Sequence, residues 1–346
     1  MLNFLVIGHI TRDVLPAGGF AQGGTATYAA IAARRLGAQT AILTRAAPDF
    51  PLTPDLDDIT LERLPSADTT TFENRYFDGH RRQVVHTVAP LLTVADVPAA
   101  WRTTPIVLLG PIAQEVDPAL ASAFPGSLLG IVPQGWMRRW DAQGHVSRQD
   151  WHSAAEVLAG AQALILSDED LGHSTATLAY YRRLCPLVVL TLGARGCQVW
   201  QGDRMTAMPP RPAHEVDPTG AGDVFAAAFL IRLAATGDPL QAARFANVAA
   251  SLSVEGNATH AIPSQAQVEP WLNPHPLEAQ SSLSIVSFPL PIKKEAWAKP
   301  PPPSTWQPTW HRRPSACSWW TATRRPTPPA TSASTLSTSS TTCTIA

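Results

Sequence analysis

Short apolar runs alternate with alanine-rich stretches through most of this chain, and that alternation leaves few folds open to it. The apolar runs predict strands at 4–7, 40–43, 106–109, 128–132, 163–166 and 187–192. The alanine-rich stretches predict helices at 25–36, 151–158, 174–184, 223–234 and 239–254. Near-continuous apolar strands separated by helices are the signature of a parallel sheet buried on both faces. The expected architecture is therefore an α/β fold with a doubly wound, mostly parallel sheet and helices on both faces, in which ligands bind beyond the carboxyl ends of the strands. Residues 69–88 break the pattern. They alternate polar and apolar side chains around Asp78-Gly79, which predicts a β-hairpin too polar for a parallel sheet.

Lysine usage narrows the chemistry. The chain has three lysines, Lys293, Lys294 and Lys299, so residues 1–292 have none. Mechanisms that need an amine there are excluded, including a Walker A loop, a protein-kinase ATP lysine, a pyridoxal-phosphate Schiff base and a lysine aldolase. Any phosphate must be held by arginine, backbone N–H groups or metal. Cys185, Cys197, Cys317 and Cys343 lack zinc-site spacing and read as reduced thiols. No apolar run is long enough for a membrane span, and the N-terminus carries no basic leader, so a cytoplasmic protein without membrane contact is expected.

The segment DPTGAGDVFAAAFL, residues 217–230, concentrates the functional signal. A strand is expected to end at Val216, and Pro218 cannot extend it. Gly220 and Gly222 let backbone N–H groups approach an anion without a Cβ in the way. Those groups also open an apolar helix, where unsatisfied donors and the helix dipole favour negative charge. Asp223 falls in the first turn, within reach of whatever lies there. It is either a general base or an acid favoured at a helix start.

The whole segment resembles the C-terminal signature of the PfkB family of carbohydrate kinases, which have the ribokinase-like fold. The resemblance runs from about Leu2 to Leu272, with IPSQAQVEPWL matching the closing helix. It implies that Asp223 is the catalytic base and that the amides of Gly220, Ala221 and Gly222 form the anion hole for the γ-phosphate. The hairpin would be a small β lid over the substrate, with Arg75, Arg81 and Arg82 as its charged residues, or is an ordinary surface hairpin. Near the N-terminus, GHITRDVLPAGGFAQGGTATYAAIAARRLGA resembles the first signature region of the family. Asp13 corresponds to the acid that binds sugar hydroxyls, or is a turn or salt-bridge residue. Gly23 and Gly24 match the substrate-side glycine pair. Tyr28 stands where the family usually has asparagine, a departure that bears on ribose-type recognition.

Residues 190–196, LTLGARG, resemble the nucleotide-side strand and turn, which places Thr191, Gly193, Arg195 and Gly196 as ATP contacts, with Arg195 either on a phosphate or solvated. Asn247 would lie near the adenine or on a helix surface. The Asn-x-x-Glu motif that organises water around magnesium appears as Ser167-Asp168-Glu169-Asp170, leaving Asp170 to act on Mg2+ through water. Gln134 and Arg138 follow a strand at its carboxyl end, within reach of the crevice, or serve packing and solvation instead. The expected activity is ATP-dependent phosphoryl transfer to a hydroxyl of a small sugar-like or nucleoside-like molecule, with no nucleic-acid partner. The lid would allow a homodimer. The alternative is a sugar- or nucleotide-binding regulator of the same fold with weak catalysis. The kinase domain would span 1–275, with 68–90 as the lid element.

Residues 276–346 are expected to be a disordered, non-native tail. From 291 onward the chain has 7 basic residues against one acid, whereas residues 1–290 have 19 arginines against 26 acids. Reading the third base of each codon with the first two of the next, residues 293–306 can encode KGGVGKTTTTVNL and 316–327 can encode VLVVDGDPQAN. Trp297, Trp319 and Trp320 force several of these letters because tryptophan has a single codon. The recovered string resembles a ParA-type partition ATPase, so residues 291–346 look like an out-of-frame reading of a neighbouring or overlapping bacterial gene. Sequencing the gene checks this: its codons should be compatible with that second frame throughout both stretches, and incompatible codons would remove the idea.

Overall fold

The computed structural model describes residues 2–77 and 80–272. The Asp78-Gly79 turn and the tail expected at 276–346 lie outside the described residues, as do the side chains of Arg75 and Arg81. In chain order the regular elements begin with β1 (Phe4–Ile7), β2 (Thr11–Val14), β3 (Phe20–Gly23), α1 (Thr25–Arg35), β4 (Thr40–Ala46), β5 (Thr60–Pro65), β6 (Thr71–Phe77) and β7 (His80–Thr87). There follow β8 (Ile106–Leu109), β9 (Leu128–Ile131), β10 (Arg138–Trp140), β11 (Val146–Arg148), α2 (Ala154–Gly160), β12 (Ala163–Ser167), α3 (Asp168–Leu171), α4 (Thr175–Leu184) and β13 (Leu187–Thr191). The last are β14 (Cys197–Gln201), β15 (Arg204–Met208), α5 (Ala221–Thr236), α6 (Pro239–Ser253) and α7 (Gln265–Val268).

Nine strands form one sheet in the order β15-β14-β13-β12-β9-β8-β1-β4-β5. Every pairing from β13 through to β5 is parallel, and β14 is antiparallel to both its neighbours. Successive strand residues serve opposite faces, as period-two geometry requires. Phe4, Val6, Leu108, Ile165 and Val189 pack with Tyr28 of α1, Phe225 and Phe229 of α5 and Phe245 of α6. Leu5, Ile7, Val107, Leu164 and Val188 pack on the other face with Val157 of α2 and Leu178 and Tyr181 of α4. The doubly wound sheet read from the sequence is thus present.

The expected hairpin is half of a larger unit. β6 and β7 pair antiparallel, and β6 also pairs parallel with β2, whose other edge carries β3. This second sheet has the order β3-β2-β6-β7. Two further expectations need correction. Residues 209–219 contain no strand, and Val216 is half exposed at 51%, its N–H donating to the Val254 carbonyl instead of to a sheet neighbour. The helix expected from 151 starts at Ala154, because Trp151 is buried and stacks on Trp136 at 5.3 Å. Among the described residues, no helix is long and apolar enough to cross a membrane.

The strand ends beneath the crevice are packed at backbone distance. Gly8 follows β1 and Gly110 follows β8, and a Cβ on Gly8 would collide with the Gly110 carbonyl oxygen. Nearby, the buried Glu115 carboxylate accepts from the His9 N–H at 3.0 Å and the Ala113 N–H at 2.6 Å, tying the two loops together. Because the obstacle is main chain, it cannot rotate away. Gly8→Ala is expected to cost about 1–3 kcal/mol through overpacking, read as a lower urea midpoint with an unchanged slope.

Candidate active site

Helix α5 begins where the sequence places its turn. Gly220 is the N-cap residue, with φ at 77°, and a Cβ there would strike the Tyr28 ring. A left-handed φ and ring contact together require glycine at this position. The turn before it is held by Asp217, whose carboxylate accepts from the Thr219 N–H at 3.0 Å and the Ala258 N–H at 3.1 Å. Among the described residues, neither the Gly220 nor the Gly222 N–H finds a protein acceptor. Gly222 is exposed, with open space where a side chain would stand. The Ala221 N–H differs from its neighbours and donates to the Pro218 carbonyl at 3.2 Å. Two free amides at a helix start make an anion cradle.

Asp223 stands one residue further along, partly buried. Loss of water around its carboxyl is the main effect on its pKa, which is pushed up to about 6. A hydrogen bond from the Thr25 hydroxyl and the positive charge of Arg138 oppose that rise, while the negative charge of Asp170 adds to it. Thr25 is the first residue of α1, so the two helix starts meet here. A carboxylate titrating near neutrality, next to free amides, suits proton abstraction from a weakly acidic group.

The N-terminal residues converge on the same place. Asp13 lies on β2, and its carboxylate accepts from the Thr11 hydroxyl at 3.0 Å. Gly23 closes β3 directly against it, since a Cβ on Gly23 would collide with that carboxylate. Gly24 is the N-cap of α1. Tyr28 is 4% exposed and sits among three acids. Burial first, then the charges of Asp217, Asp13 and Asp223, push its phenol above its ordinary range, so it stays protonated.

The expected nucleotide-side residues gather at the ends of β12 and β13. Ser167 and Thr191 are register partners, and the Thr191 hydroxyl donates to the Leu166 carbonyl at 3.4 Å. Gly193 leads the turn after β13, and Arg195, with its side chain 72% exposed, lies 3.6 Å from Asp168. Gly196 packs its Cα on the Met208 carbonyl. Asn247 is buried, which rules out the helix-surface reading, and its amide nitrogen donates to the carbonyls of Met208 at 3.3 Å and Pro209 at 3.0 Å. Asp170 forms a capping box with Ser167 at the start of α3 and accepts from Gln134 at 3.4 Å.

Two residues outside the expected site are drawn into it. Thr25 favours the ionised Asp223 carboxyl through its hydroxyl, and Arg138 does so through its charge. Arg138 stood in the sequence only as an arginine beyond a strand's carboxyl end. Thr25 carried no signal beyond its place after Gly24.

Residues 153–265 match the pfkB family carbohydrate kinase profile. Cytidine kinase of Thermococcus kodakarensis is 29% identical over 255 residues, spanning 66% of this chain and 88% of that protein. Ribokinase of Bacillus subtilis is 34% identical over 139 residues, 35% of this chain and 47% of that one. Among solved structures, a sulfate complex of a pyrophosphate-dependent kinase in the ribokinase family superposes with a TM-score of 0.66 at 21% identity, covering 77% of this chain and 99% of the other. Arabidopsis thaliana ribokinase complexed with ribose and ATP gives 0.60 at 20%, covering 80% and 100%. These structures share the fold.

A raised carboxylate pKa has a stability consequence. Between the ordinary carboxylate value and about 6, the folded state holds a proton on Asp223 that the unfolded chain has released. Stability from this group is therefore present at low pH and lost as pH rises through about 6. Asp223→Asn should melt at a higher temperature than the wild type at pH 8, and the difference should vanish by about pH 4, measured by thermal denaturation across pH.

Proposed function

We propose that this phosphotransferase with an alcohol acceptor, whose chain carries a pfkB family carbohydrate kinase domain, moves the γ-phosphoryl group of ATP onto a hydroxyl of a small sugar-like or nucleoside-like molecule. The observation that carries the reading is the partly dried Asp223 carboxylate beside the acceptor-less N–H groups of Gly220 and Gly222. Asp223 takes the hydroxyl proton, and the two amides receive the charge that gathers on the transferring phosphoryl oxygens. Ala221 contributes through the turn that its bond to Pro218 maintains. Asp13, backed by Gly23 and Gly24, accepts hydrogen bonds from other acceptor hydroxyls. The kinase domain comprises residues 1–275, and 68–90 belong to the lid element.

The donor set fits magnesium-bound ATP. Free amides at a helix N-terminus are a phosphate-binding arrangement. Among the described residues no cluster of three or more His, Cys, Asp or Glu side chains could enclose a metal. A magnesium ion would be held chiefly by the phosphates and water, with Asp170 reaching it through water. When bound, the ion supplies charge neutralisation between the phosphates. Thr191, Gly193, Arg195 and Gly196 would line the nucleotide side, and Asn247 would set the backbone at 208–209 against which it lies.

The test is a phosphorylation assay with ATP against sugars, inositols and nucleosides, with pyrophosphate as a second donor. Turnover on one acceptor class is expected. Asp223→Asn should lower kcat about 10²–10⁴-fold with little change in acceptor KM, because a base acts in the transition state. Retained turnover in that variant would remove Asp223 from the role.

A further inference from the structure

The chain passes between the nine-stranded sheet and the small sheet four times: at 8–10 from β1 into β2, at Gly24 from β3 into α1, at 66–70 from β5 into β6, and at 88–90 on leaving β7. One residue, His9, touches all four crossings. It lies within the first and is fully buried. Its carbonyl oxygen abuts Gly24, where a Cβ would collide with it. Its Nδ1 lies 2.8 Å from the Thr70 hydroxyl, in the third crossing, and its Nε2 lies 3.1 Å from the Pro90 carbonyl, in the fourth. A carbonyl only accepts, so Nε2 carries a hydrogen toward Pro90. The Thr70 oxygen already accepts from the Ala89 N–H at 3.0 Å, and its hydroxyl completes the set by donating to Nδ1. The main chain of His9 is fixed in turn, because its N–H donates to the buried Glu115 carboxylate and the following Ile10 N–H donates to the Thr44 hydroxyl at 2.9 Å.

An imidazole is a costly way to fill a dry space, since each ring nitrogen must find a partner. Both partners here belong to the entry and exit of the β6–β7 hairpin. We propose that His9 is a positioning residue for acceptor binding: its ring clamps both ends of that hairpin to the end of β1 and so holds the small sheet, with Asp13, in a fixed position over the acceptor. The link to Asp13 is short. Asp13 follows four residues later on β2, and the Arg12 N–H beside it donates to the Thr70 carbonyl at 2.9 Å. A clamp that slips at Thr70 therefore displaces the acceptor-side acid. The residues that would line the nucleotide side, on β13 and the turn after it, make no contact with the clamp, so its loss is felt on the acceptor side alone.

The consequence for acceptor binding rests on the kinase reading, but the clamp itself does not, and two measurements keep them apart. The first is hydrogen exchange on the full chain without substrate, in the wild type, His9→Asn, Thr70→Val and Thr70→Ser. Asparagine is too short to keep the Pro90 arm, valine keeps the shape of threonine without its hydroxyl, and serine keeps the hydroxyl. Exchange in β6 and β7 should quicken about tenfold in His9→Asn and Thr70→Val, stay near wild type in Thr70→Ser, and remain unchanged in β8 and β13 throughout. The second is steady-state kinetics with ATP. In His9→Asn and Thr70→Val the acceptor KM should rise about tenfold with the donor KM unchanged, as expected of a loosened cover over one substrate. A wild type without turnover on any acceptor counts against the kinase reading and leaves the exchange result to decide the clamp. Unchanged exchange in β6 and β7, a rise shared equally by β8 and β13, or donor and acceptor KM rising together overturns the proposal. Should His9→Asn fail to fold, the Thr70→Val and Thr70→Ser pair decides by the same readouts.

Discussion

A carboxylate deprived of part of its water, at the start of an apolar helix, is the constraint around which this protein is arranged. Asp223 cannot be placed there without cost, and its pKa of about 6 records it. Two nearby features make the position tenable. The Thr25 hydroxyl and the Arg138 charge favour the ionised form, and the helix start supplies positive potential from unsatisfied amides. The apolar run from Val224 to Leu230 then fixes α5 between the sheet and its neighbours, so the carboxylate has little room to swing toward bulk water. Dryness makes the acid a better base near neutrality, and rigidity keeps it aimed.

Much of this was legible in the sequence, for physical reasons. Buried parallel strands must be almost wholly apolar, so the strands at 4–7 and 106–109 were read to the residue. Gly220 was legible as a glycine that lets backbone N–H groups approach an anion at a helix start, and the structure adds a left-handed N-cap facing the Tyr28 ring. The strands that escaped notice are short and half exposed. β2 and β3 have four residues each, with Arg12, Asp13 and Gln22 among them, and neither shows an apolar run. Their pairing is decided by partners distant in sequence: Asp13 finds Phe72 only when β6 arrives. The strand expected to end at Val216 failed for the opposite reason. Its local pattern was adequate, but no partner strand reaches it, and the Val254 carbonyl takes its N–H.

The site residues divide the same way. Asp223, Gly220 and Gly222 announce themselves because their spacing is dictated by one turn of chain. Arg138 does not, since its importance is created by Ile112, Gln114 and Phe72, which approach it from other loops and strands. Asn247 illustrates the converse. A polar residue on a late helix reads as either a ligand contact or a surface amide, and burial resolves it as the anchor of the 208–209 backbone.

The absence of lysine from residues 1–292 gives the site an unusual acid–base simplicity. An arginine beside the base never loses its proton in the working range, whereas a lysine partly dried by the same surroundings would have its pKa depressed and would titrate alongside Asp223. Tyr28 is held protonated by burial and by three acids, and burial is the main cause of a lowered His9 pKa. The arginines have a second consequence. A guanidinium needs several acceptors in fixed directions, so each one near the site organises the backbone around it. Arg138 and the loop from Ile112 to Glu115 specify each other, and the site's electrostatics and its loop geometry thus have a common origin.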